Sequence, residues 1–463
     1  MLNIKDLCLS YNDYEIFNHI NLKVSPGQLT VITGLSGCGK SSLLKILNGT
    51  ISEVFDSNVK GDAVYLKHDL LTEDIVQKSH YLSTVFQNPK TQFYCINSTD
   101  ELAFGLENRS ICRDEIYHTI DKYTTLLKTK DLLDKDIFSL SGGEKQLLAI
   151  TAVACLNNDI YLFDEPSASL DREAIHRFVE VIKILKQAGK IILIAEHRLH
   201  YLKELLDQVL VIDQNKGFNY DREDFLTHFE TLSIKHNLRS IYELTKKDFK
   251  QIQTIQLIGN HSIQNESEGL NSLLCLNFKM KYDIPVLDLS IQFQPGVYFI
   301  IGNNGVGKST FVKALCHLNK AKGKRYYDNS SIKKTYEYIS MVMQDVNYQI
   351  YTESCLQELS VISKNRELIL KSLKDVNLLD KKDVHPQVLS GGEKQRLLLA
   401  KAKVSTKPII ILDEPTSGLD KFQMSRMILF LDEMKSSGKI VLVITHDYEL
   451  IHNYDANILE FVR

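Results

Sequence analysis

The sequence predicts an α/β protein built from two tandem domains, each with a mostly parallel sheet flanked by helices. Three observations support this prediction. The chain has 463 residues, which is too long for a single ordinary core. The same motifs recur in the same order in both halves, and "LSGGEKQ" stands at 140–146 and again at 389–395. Within each half, short β-branched runs alternate with helical patterns.

The repeat covers most of each half. "VITGLSGCGKSS" (31–42) matches "FIIGNNGVGKST" (299–310), and "IYLFDEPSASLD" (160–171) matches "IIILDEPTSGLD" (409–420). In both halves the serine of "LSGGEKQ" precedes the first aspartate of "DEP" by 23 residues, and that aspartate precedes a histidine by 33. Two copies are too few for a solenoid, so the pattern indicates a pair of homologous domains.

The domain boundaries follow from a polar stretch between the halves. Residues 260–271, "NHSIQNESEGLN", have no apolar period and cluster turn-forming residues. We therefore predict a first domain at 1–245, a linker at 246–269 and a second domain at 270–463.

Composition excludes several classes of protein. A net charge of −3 argues against a nucleic-acid binder that relies on a strongly basic domain, so no nucleic-acid partner is expected. The eight cysteines form no C-x-x-C pair, which argues against common zinc sites and predicts reduced thiols in the cytosol. The N-terminus lacks the pattern of a signal peptide, and the longest apolar runs have the length of strands. Any work at a membrane is therefore expected to go through a partner.

Two glycine-rich loops carry the first chemistry. "GLSGCGKS" (34–41) and "GNNGVGKS" (302–309) both fit G-x-x-x-x-G-K-[ST] and follow an apolar strand. Such loops point backbone N–H groups at phosphates, while the lysine reaches the β- and γ-phosphates and the next hydroxyl holds Mg²⁺. An incidental glycine-rich turn is the alternative, and two matches in the same context favour the functional interpretation. The residues predicted to bind the nucleotide here are Gly34, Gly37, Gly39, Lys40, Ser41, Ser42, Gly302, Gly305, Gly307, Lys308, Ser309 and Thr310.

Each half also has an apolar strand that ends in two carboxylates, "LFDEP" (162–166) and "ILDEP" (411–415). Asp164 and Asp413 suit Mg²⁺, which prefers oxygen ligands. Glu165 and Glu414 would polarise an attacking water. Solvated edge charges are the alternative, which is weak when both pairs follow a phosphate loop in register.

His197 and His446 end an apolar strand at the same offset in both halves, which predicts a contact with the γ-phosphate. A lone histidine at a strand end is more often structural, and the repeated offset is what favours a catalytic role. Gln87 and Gln344 lie between the phosphate loop and "LSGGEKQ" and are predicted to contact the metal and the water.

The repeated "LSGGEKQ" predicts a capping box, because its serine is followed three residues later by glutamate and then by a helical pattern. A helix that begins after two glycines is also an anion site. Each half already has a phosphate loop, so a second such element is redundant unless the halves pack head to tail and each completes the other's site. The residues predicted to contact the nucleotide in this way are Ser141, Gly142, Gly143, Gln146, Ser390, Gly391, Gly392 and Gln395.

Phosphate loop, glutamine, "LSGGEKQ", "DEP" and histidine, in that order and twice, resemble the ATP-binding-cassette (ABC) ATPases over nearly the whole chain. The resemblance implies two P-loop nucleoside-triphosphatase domains, each with a helical subdomain, that enclose two ATP molecules with Mg²⁺ and need no homodimer. It also implies that Tyr11 stacks on the first adenine, with Phe278 and Tyr282 as candidates for the second. Asp171 and Asp420 correspond to the family's aspartates at the interface between cassettes.

"FQNPKTQF…ELAFGLEN" (86–108) resembles the energy-coupling-factor subgroup, which imports vitamins and metal ions, and Gln92 and Gln349 fit that pattern. Lys90 and Leu147 depart from it, since an acidic residue and an arginine are usual there. The resemblance implies an ATPase at the cytoplasmic face of the membrane. Its expected partners are a transmembrane coupling subunit and a substrate-binding membrane subunit.

Gln87 and Gln344 correspond to the glutamines of the family's Q-loops. The segments that follow them are rich in aromatic side chains. We predict that Phe93, Tyr94, Tyr348 and Tyr351 help to dock the transmembrane subunit. The main alternative is a soluble twin-cassette translation factor acting on ribosomes. Those proteins usually carry a long charged insert between cassettes, and the connector here is short. A DNA-repair cassette ATPase and a fused sugar-importer ATPase are further alternatives.

Overall fold

The computed structural model describes residues 1–11, 14–51, 56–168, 170–249, 251–260, 271–281, 285–416 and 418–463. The chain divides into two compact units. The first comprises Met1–Glu243 with Asp420–Phe422, and the second comprises Leu244–Leu419 with Gln423–Arg463. The predicted tandem α/β architecture is confirmed.

The first unit contains the elements from β1 to α8. Its strands are β1 (Leu2–Tyr11), β2 (Tyr14–Val24), β3 (Leu29–Gly34), β4 (Ser57–Tyr65), β5 (His68–Asp69), β6 (Leu82–Val85), β7 (Ile160–Asp164), β8 (Ile191–Ala195), β9 (Gln208–Asp213) and β10 (Lys216–Asp221). Its helices are α1 (Lys40–Asn48), α2 (Ile75–Ser79), α3 (Ser98–Glu107), α4 (Arg113–Leu126), α5 (Gly142–Cys155), α6 (Arg172–Gln187), α7 (Arg222–Thr227) and α8 (Phe229–Lys235).

The sheet of the first unit runs in the order β5-β4-β1-β2-β10-β9-β3-β8-β7-β6. The strands β9, β3, β8, β7 and β6 pair in parallel, whereas β1 pairs antiparallel with both β2 and β4. Every residue of β3, β7 and β8 is buried, as expected for parallel strands covered on both faces. The helical subdomain comprises α3, α4 and α5, whose Leu102, Ile120 and Leu148 share one hydrophobic core with Phe163.

The second unit contains the elements from β11 onward, apart from Lys421 and Phe422. Its strands are β11 (Gln253–Gln256), β12 (Ile258–Asn260), β13 (Leu273–Lys281), β14 (Pro285–Phe293), β15 (Gly296–Ile301), β16 (Lys322–Tyr327), β17 (Ser330–Ser331), β18 (Ile339–Val342), β19 (Ile409–Asp413), β20 (Ile440–Ile444) and β21 (Asn457–Val462). Its helices are α9 (Lys308–Leu315), α10 (Thr335–Tyr338), α11 (Cys355–Ser360), α12 (Arg366–Asp375), α13 (Gly391–Lys403), α14 (Lys421–Ser436) and α15 (Tyr448–His452).

Two sheets form the second unit. The order β11-β21-β15-β20-β19-β18 is parallel, and the order β12-β14-β13-β16-β17 contains the antiparallel pairs. Part of the predicted linker, 253–260, forms β11 and β12, which pair with β21 and β14. These strands are too short to show a period, and β11 has a partner about two hundred residues away, so local sequence gives little sign of them. Residues 261–269 lie outside the described residues, and the linker boundaries stay a prediction.

A buried arginine from a neighbouring strand caps the C-terminal end of helix α9, which follows the second phosphate loop. Arg325 lies in β16 and donates from Nε to the carbonyl of Leu315 (3.1 Å) and from Nη2 to that of Ala314 (2.5 Å). Its guanidinium carbon lies 4.4 Å from the ring centroid of Phe278. A cation here satisfies carbonyls that the helix end leaves without partners.

We expect Arg325→Ala to lower the free energy of unfolding by about 2–4 kcal/mol, because buried charge-assisted hydrogen bonds and a cation–π contact are lost. The measurement is denaturant unfolding, with amide hydrogen exchange in α9 as the local readout. Lys324→Ala, at the exposed neighbouring position, is the matched control and should change stability by less than about 0.5 kcal/mol. Equal effects of the two changes would contradict this account.

Candidate functional site

The first phosphate loop joins β3 to α1, and its backbone requires glycine. Gly39 has φ 102°, and a Cβ there would lie 2.6 Å from Ile16 Cγ2. Lys40 is buried and donates from Nζ to the carbonyls of Gly34 (3.2 Å) and Leu35 (3.0 Å). The loop therefore curls around its own lysine ammonium, as a phosphate-binding loop does.

The second phosphate loop has the same geometry between β15 and α9. Lys308 Nζ donates to the carbonyls of Gly302 (2.7 Å) and Asn303 (3.0 Å). Gly302 has φ 143°, and a Cβ there would lie 2.5 Å from the carbonyl oxygen of Phe461. A Cβ would therefore clash with side chains at Gly39 in the first loop and with main chain at Gly302 in the second.

Of the residues predicted to contact the metal, the serine and the aspartate lie together in both units. Ser41 Oγ donates to Asp164 Oδ1 at 2.8 Å, and Ser309 Oγ donates to Asp413 Oδ1 at 3.2 Å. Burial raises the pKa of both aspartates. A hydroxyl beside a carboxylate fits Mg²⁺, which takes few protein oxygens and completes its shell with phosphates and water. The described part of the chain has no cluster of three or more His, Cys, Asp or Glu side chains that could hold a metal by itself.

Glu165 stands on strained backbone at the centre of the first site. Its φ is 44°, and its N–H donates to the carbonyl of Ala195 at 2.9 Å. Its Oε2 accepts from Gln87 Nε2 at 2.7 Å, and its Oε1 lies 3.6 Å from His197 Nε2. Burial raises the pKa of Glu165 to about 8. Burial, together with the nearby Lys40, lowers the pKa of His197 well below its ordinary value, so the imidazole is neutral.

The second site repeats this arrangement. Glu414 has φ 51°, and its N–H donates to the carbonyl of Ile444 at 2.9 Å. Its Oε1 lies 3.5 Å from His446 Nε2, and its Oε2 accepts from the His446 N–H at 3.4 Å. Gln344 follows β18 at the position that Gln87 occupies after β6. The predicted carboxylate and histidine are thus brought together in each unit.

Both predicted capping boxes are confirmed. The N–H of Glu144 donates to Ser141 Oγ (3.3 Å), and the N–H of Ser141 donates to Glu144 Oε2 (2.8 Å), at the start of α5. Ser390 and Glu393 make the same pair of bonds at 3.4 and 2.9 Å at the start of α13. Both serines are exposed, so the helix ends are accessible to an anion.

The two glutamines of "LSGGEKQ" are placed differently from the prediction. Gln146 is 1% exposed, and Gln395 Nε2 donates to the carbonyl of Pro415 within its own unit. Each glutamine is the fifth residue of its helix, more than one turn beyond the first N–H groups that an anion would contact. This placement does not support their predicted contact with the nucleotide.

The second glutamine of each Q-loop holds the loop in place. Gln92 accepts from the N–H of Phe86 (3.3 Å) and donates to the carbonyl of Thr84 (3.2 Å). Gln349 repeats both bonds with Met343 and Met341, at 2.7 Å each. Each amide therefore fixes the main chain next to a Q-loop glutamine.

The predicted docking residues are mostly at the surface. Tyr94, Tyr348 and Tyr351 are 79%, 67% and 79% exposed. Phe93 is half-buried and packs against the core of the first unit. The exposed docking candidates are therefore Tyr94 in the first unit and Tyr348 and Tyr351 in the second, while Phe93 lies partly in the core of the first unit.

The candidates for stacking on adenine have different outcomes. Tyr11 is half-buried at the end of β1, and its hydroxyl donates to Ser42 Oγ at 3.2 Å, beside the first phosphate loop. The prediction that Phe278 could stack on the second adenine is wrong, because this side chain is fully buried under Arg325 and no base can reach it. An alternating strand places a side chain inside or outside by register, which sequence proximity alone did not reveal. Tyr282 lies outside the described residues.

The two predicted interface aspartates both accept backbone hydrogen bonds. Asp171 caps α6 by accepting from the N–H of Ala174 at 2.8 Å. Asp420 belongs to the first unit as delimited above, and its Oδ2 accepts from the N–H of Ser36 in the phosphate loop at 2.7 Å.

Sequence reasoning missed four side chains that shape the sites. Glu101 accepts from the N–H groups of Tyr94 and Cys95, and Glu358 accepts from those of Tyr351 and Thr352, so each holds a docking segment. Glu196 and Thr445 lie directly before the two histidines, at the end of β8 and β20. Glu196 and Thr445 could have been identified from the sequence, because each is a polar residue that ends an otherwise apolar strand.

Comparisons with known proteins agree with this geometry. The ABC transporter family model matches residues 17–168 and 286–417. A putative ABC transporter ATP-binding protein of Treponema denticola is 33% identical over 99% of this chain and 95% of that protein. A Bacillus subtilis protein named putative HMP/thiamine import ATP-binding protein YkoD is 29% identical over 99% of this chain and 89% of that protein.

Among solved structures, a chain of a model of ribosome-bound archaeal Pelota and ABCE1 aligns with TM-score 0.65 and 21% identity. The alignment covers 97% of this chain and 75% of that one, and at this identity it shows the fold alone. With two family matches that each contain a closed phosphate loop and a "DEP" strand end, the chain belongs to the ATP-binding proteins of the ABC transporter family and is an ATPase with two ATP-binding domains.

Proposed function

We propose that this ATPase drives an energy-coupling-factor type importer of a vitamin or a metal ion. The observation that carries the proposal is the Q-loop segment, which has the same construction in both units. A second glutamine fixes the main chain, a buried glutamate holds the next residues, and tyrosines face outward. The similarity to a relative named for HMP/thiamine import supports a small organic vitamin as the transported class.

We assign the site residues as follows. Lys40 and Lys308 bind the β- and γ-phosphates, while Glu165 and Glu414 polarise the attacking water. The histidines lie beside these carboxylates, and we assign their imidazoles to a contact with the γ-phosphate. Ser41 with Asp164, and their counterparts in the second unit, hold Mg²⁺, which neutralises phosphate charge when bound.

The partners are a transmembrane coupling subunit and a substrate-binding membrane subunit, which place the ATPase on the cytoplasmic face of the membrane. No helix among the described residues combines the length and apolarity needed to cross a bilayer. Exposed tyrosines beside the Q-loop offer amphipathic contact area of the kind found at interface centres. Contact there would connect the partner with Gln87, which donates to Glu165.

Action on ribosomes is the competing function. The similarity to proteins whose structures are described with the ribosome or its stalk lies below 25% identity and supports a shared fold only. The two functions differ in the particle with which the chain associates, so cell fractionation separates them.

Replacing Glu165 and Glu414 together by Gln should lower ATP turnover at least about 100-fold, because general-base assistance is lost in both sites. Equilibrium ATP binding should persist, since neither side chain belongs to the phosphate loops. The assay is phosphate release by the purified chain. Glu173→Gln, on the exposed face of α6, is the matched control and should keep wild-type turnover. Near wild-type turnover in the double variant would refute the assignment.

We also propose, from the repeated motif, that each "LSGGEKQ" completes the other half's site. Lys40→Ala and Ser390→Ala would then damage one site, and combining them should cost little beyond either change alone. Lys40→Ala with Ser141→Ala should instead disable both sites. The measurement is the ATPase rate of each single and double variant. Additive effects in the first pair, with non-additive effects in the second, would mean that each half is self-contained.

Changing Tyr94, Tyr348 and Tyr351 to Glu should leave the ATPase rate of the isolated chain unchanged and release the chain from membranes. Charges at these positions oppose burial against an apolar partner, while the phosphate loops are untouched. The assay is fractionation of cells that produce every subunit. Tyr117→Glu, at an exposed tyrosine of α4, is the control and should stay with membranes. Sedimentation of the native chain with ribosomes, and none with membranes, would decide for the ribosomal function.

A further inference from the structure

A buried carboxylate lies next to the catalytic histidine of the first site. Glu196 directly follows β8 and precedes His197, and it is 3% exposed. A carboxylate removed from water is costly unless it is well hydrogen-bonded, so its partners indicate what it is for.

Four groups donate to this carboxylate. Oε1 accepts from the N–H groups of His197 (2.8 Å) and Arg198 (3.1 Å). Oε2 accepts from the Tyr201 hydroxyl (2.7 Å) and from the Ser167 N–H (3.4 Å). Ser167 lies two residues after Glu165, so Glu196 joins the turn that carries the predicted general base to the turn that carries the histidine.

The second unit makes the same connection with different chemistry. At the positions 249 residues later, Thr416 stands for Ser167 and Thr445 stands for Glu196. The two hydroxyls lie 3.2 Å apart, and the N–H of Asp447 donates to Thr445 Oγ1 at 3.0 Å. Both threonines are fully buried. In each unit, a pair of residues at matching positions therefore joins the turn after "DEP" to the turn that carries the histidine. We call this connection the tie, and its side chains differ between the two units.

We propose that Glu196 is a positioning residue for ATP hydrolysis in the first site, and that Thr445 with Thr416 does the same in the second. The tie holds the main chain of the histidine and the turn after the catalytic glutamate in one geometry. Because hydrogen bonds to a carboxylate are stronger than those between hydroxyls, the first site is held more rigidly than the second. The inference goes beyond the importer proposal and rests only on the roles assigned above to the glutamates and histidines.

The test removes the tie from both sites with isosteric changes, Glu196→Gln and Thr445→Val in one chain. All four partners of Glu196 donate, so an amide NH₂ there meets a donor, and valine lacks the threonine hydroxyl. We expect kcat to fall about tenfold while KM for ATP stays within about twofold, since misplacement of catalytic groups affects the chemical step. The assay is the ATPase rate of the purified chain without any membrane partner.

A rescue separates positioning from general stability. The rescue chain keeps Thr445→Val and carries Glu196→Thr with Ser167→Thr in place of Glu196→Gln, which builds the hydroxyl pair of the second unit in the first. We expect kcat to recover at least about threefold over the double variant. If the double variant does not fold, the single changes Glu196→Gln and Thr445→Val are measured instead, and each should lower kcat to about half or less.

Three results would overturn the proposal. They are a wild-type kcat in the double variant or in both single variants, a rise in KM that accounts for the whole loss, and no recovery in the rescue chain. His197→Ala with His446→Ala is the reference, and a wild-type kcat there would refute the histidine assignment and this proposal with it. Failure of the importer proposal would leave all of these rates unchanged, because the assay contains no partner.

Discussion

Parallel pairing of the central strands is the constraint on which both ATP sites depend. In the first unit β3 pairs with β8, and β8 pairs with β7, so that Ile32 and Asp164 both lie opposite Ala195. In the second unit Ile300 and Asp413 lie opposite Ile444 in the same way. Because these strands run in one direction, the phosphate loop, the acidic pair and the histidine emerge at one edge of the sheet. Residues that are far apart in sequence meet there without any loop having to bring them together.

Like charges are concentrated at this edge. Burial raises the pKa of Asp164 and of Glu165, and the neighbouring Glu196 adds to the rise at both, while the Lys40 ammonium opposes it. Nucleotide phosphates would add further negative charge, which explains why the chemistry calls for a divalent cation beside the Ser41 hydroxyl. The Glu196 carboxylate accepts hydrogen bonds from four protein groups, which occupy both of its oxygens. It therefore belongs to the framework of the site.

Motifs with a local mechanism could be predicted from the sequence, and features set by register could not. The phosphate-loop glycines and the capping boxes depend on spacing along the chain, and both were found as predicted. Gln146 and Phe278 turn inward because of their positions on a helix and a strand, which no motif specifies. The tie between Glu196 and the Ser167 turn crosses between strand ends 29 residues apart. A polar residue at the end of each apolar strand marks Glu196 and Thr445 in the sequence, but only the geometry shows that the carboxylate and the pair of hydroxyls each join the same two turns.

The left-handed backbone at Glu165 and Glu414 has a consequence for how such a chain can change. Residues other than glycine, asparagine and aspartate resist this conformation, which costs on the order of 1 kcal/mol or more at each position. Asparagine or glycine at either position would relax the main chain and remove the carboxylate proposed to polarise the attacking water at the same time. Selection for thermal stability alone would therefore favour inactive sequences at these two positions. Glutamate at both positions therefore carries a cost in stability that the proposed catalytic role accounts for in each half.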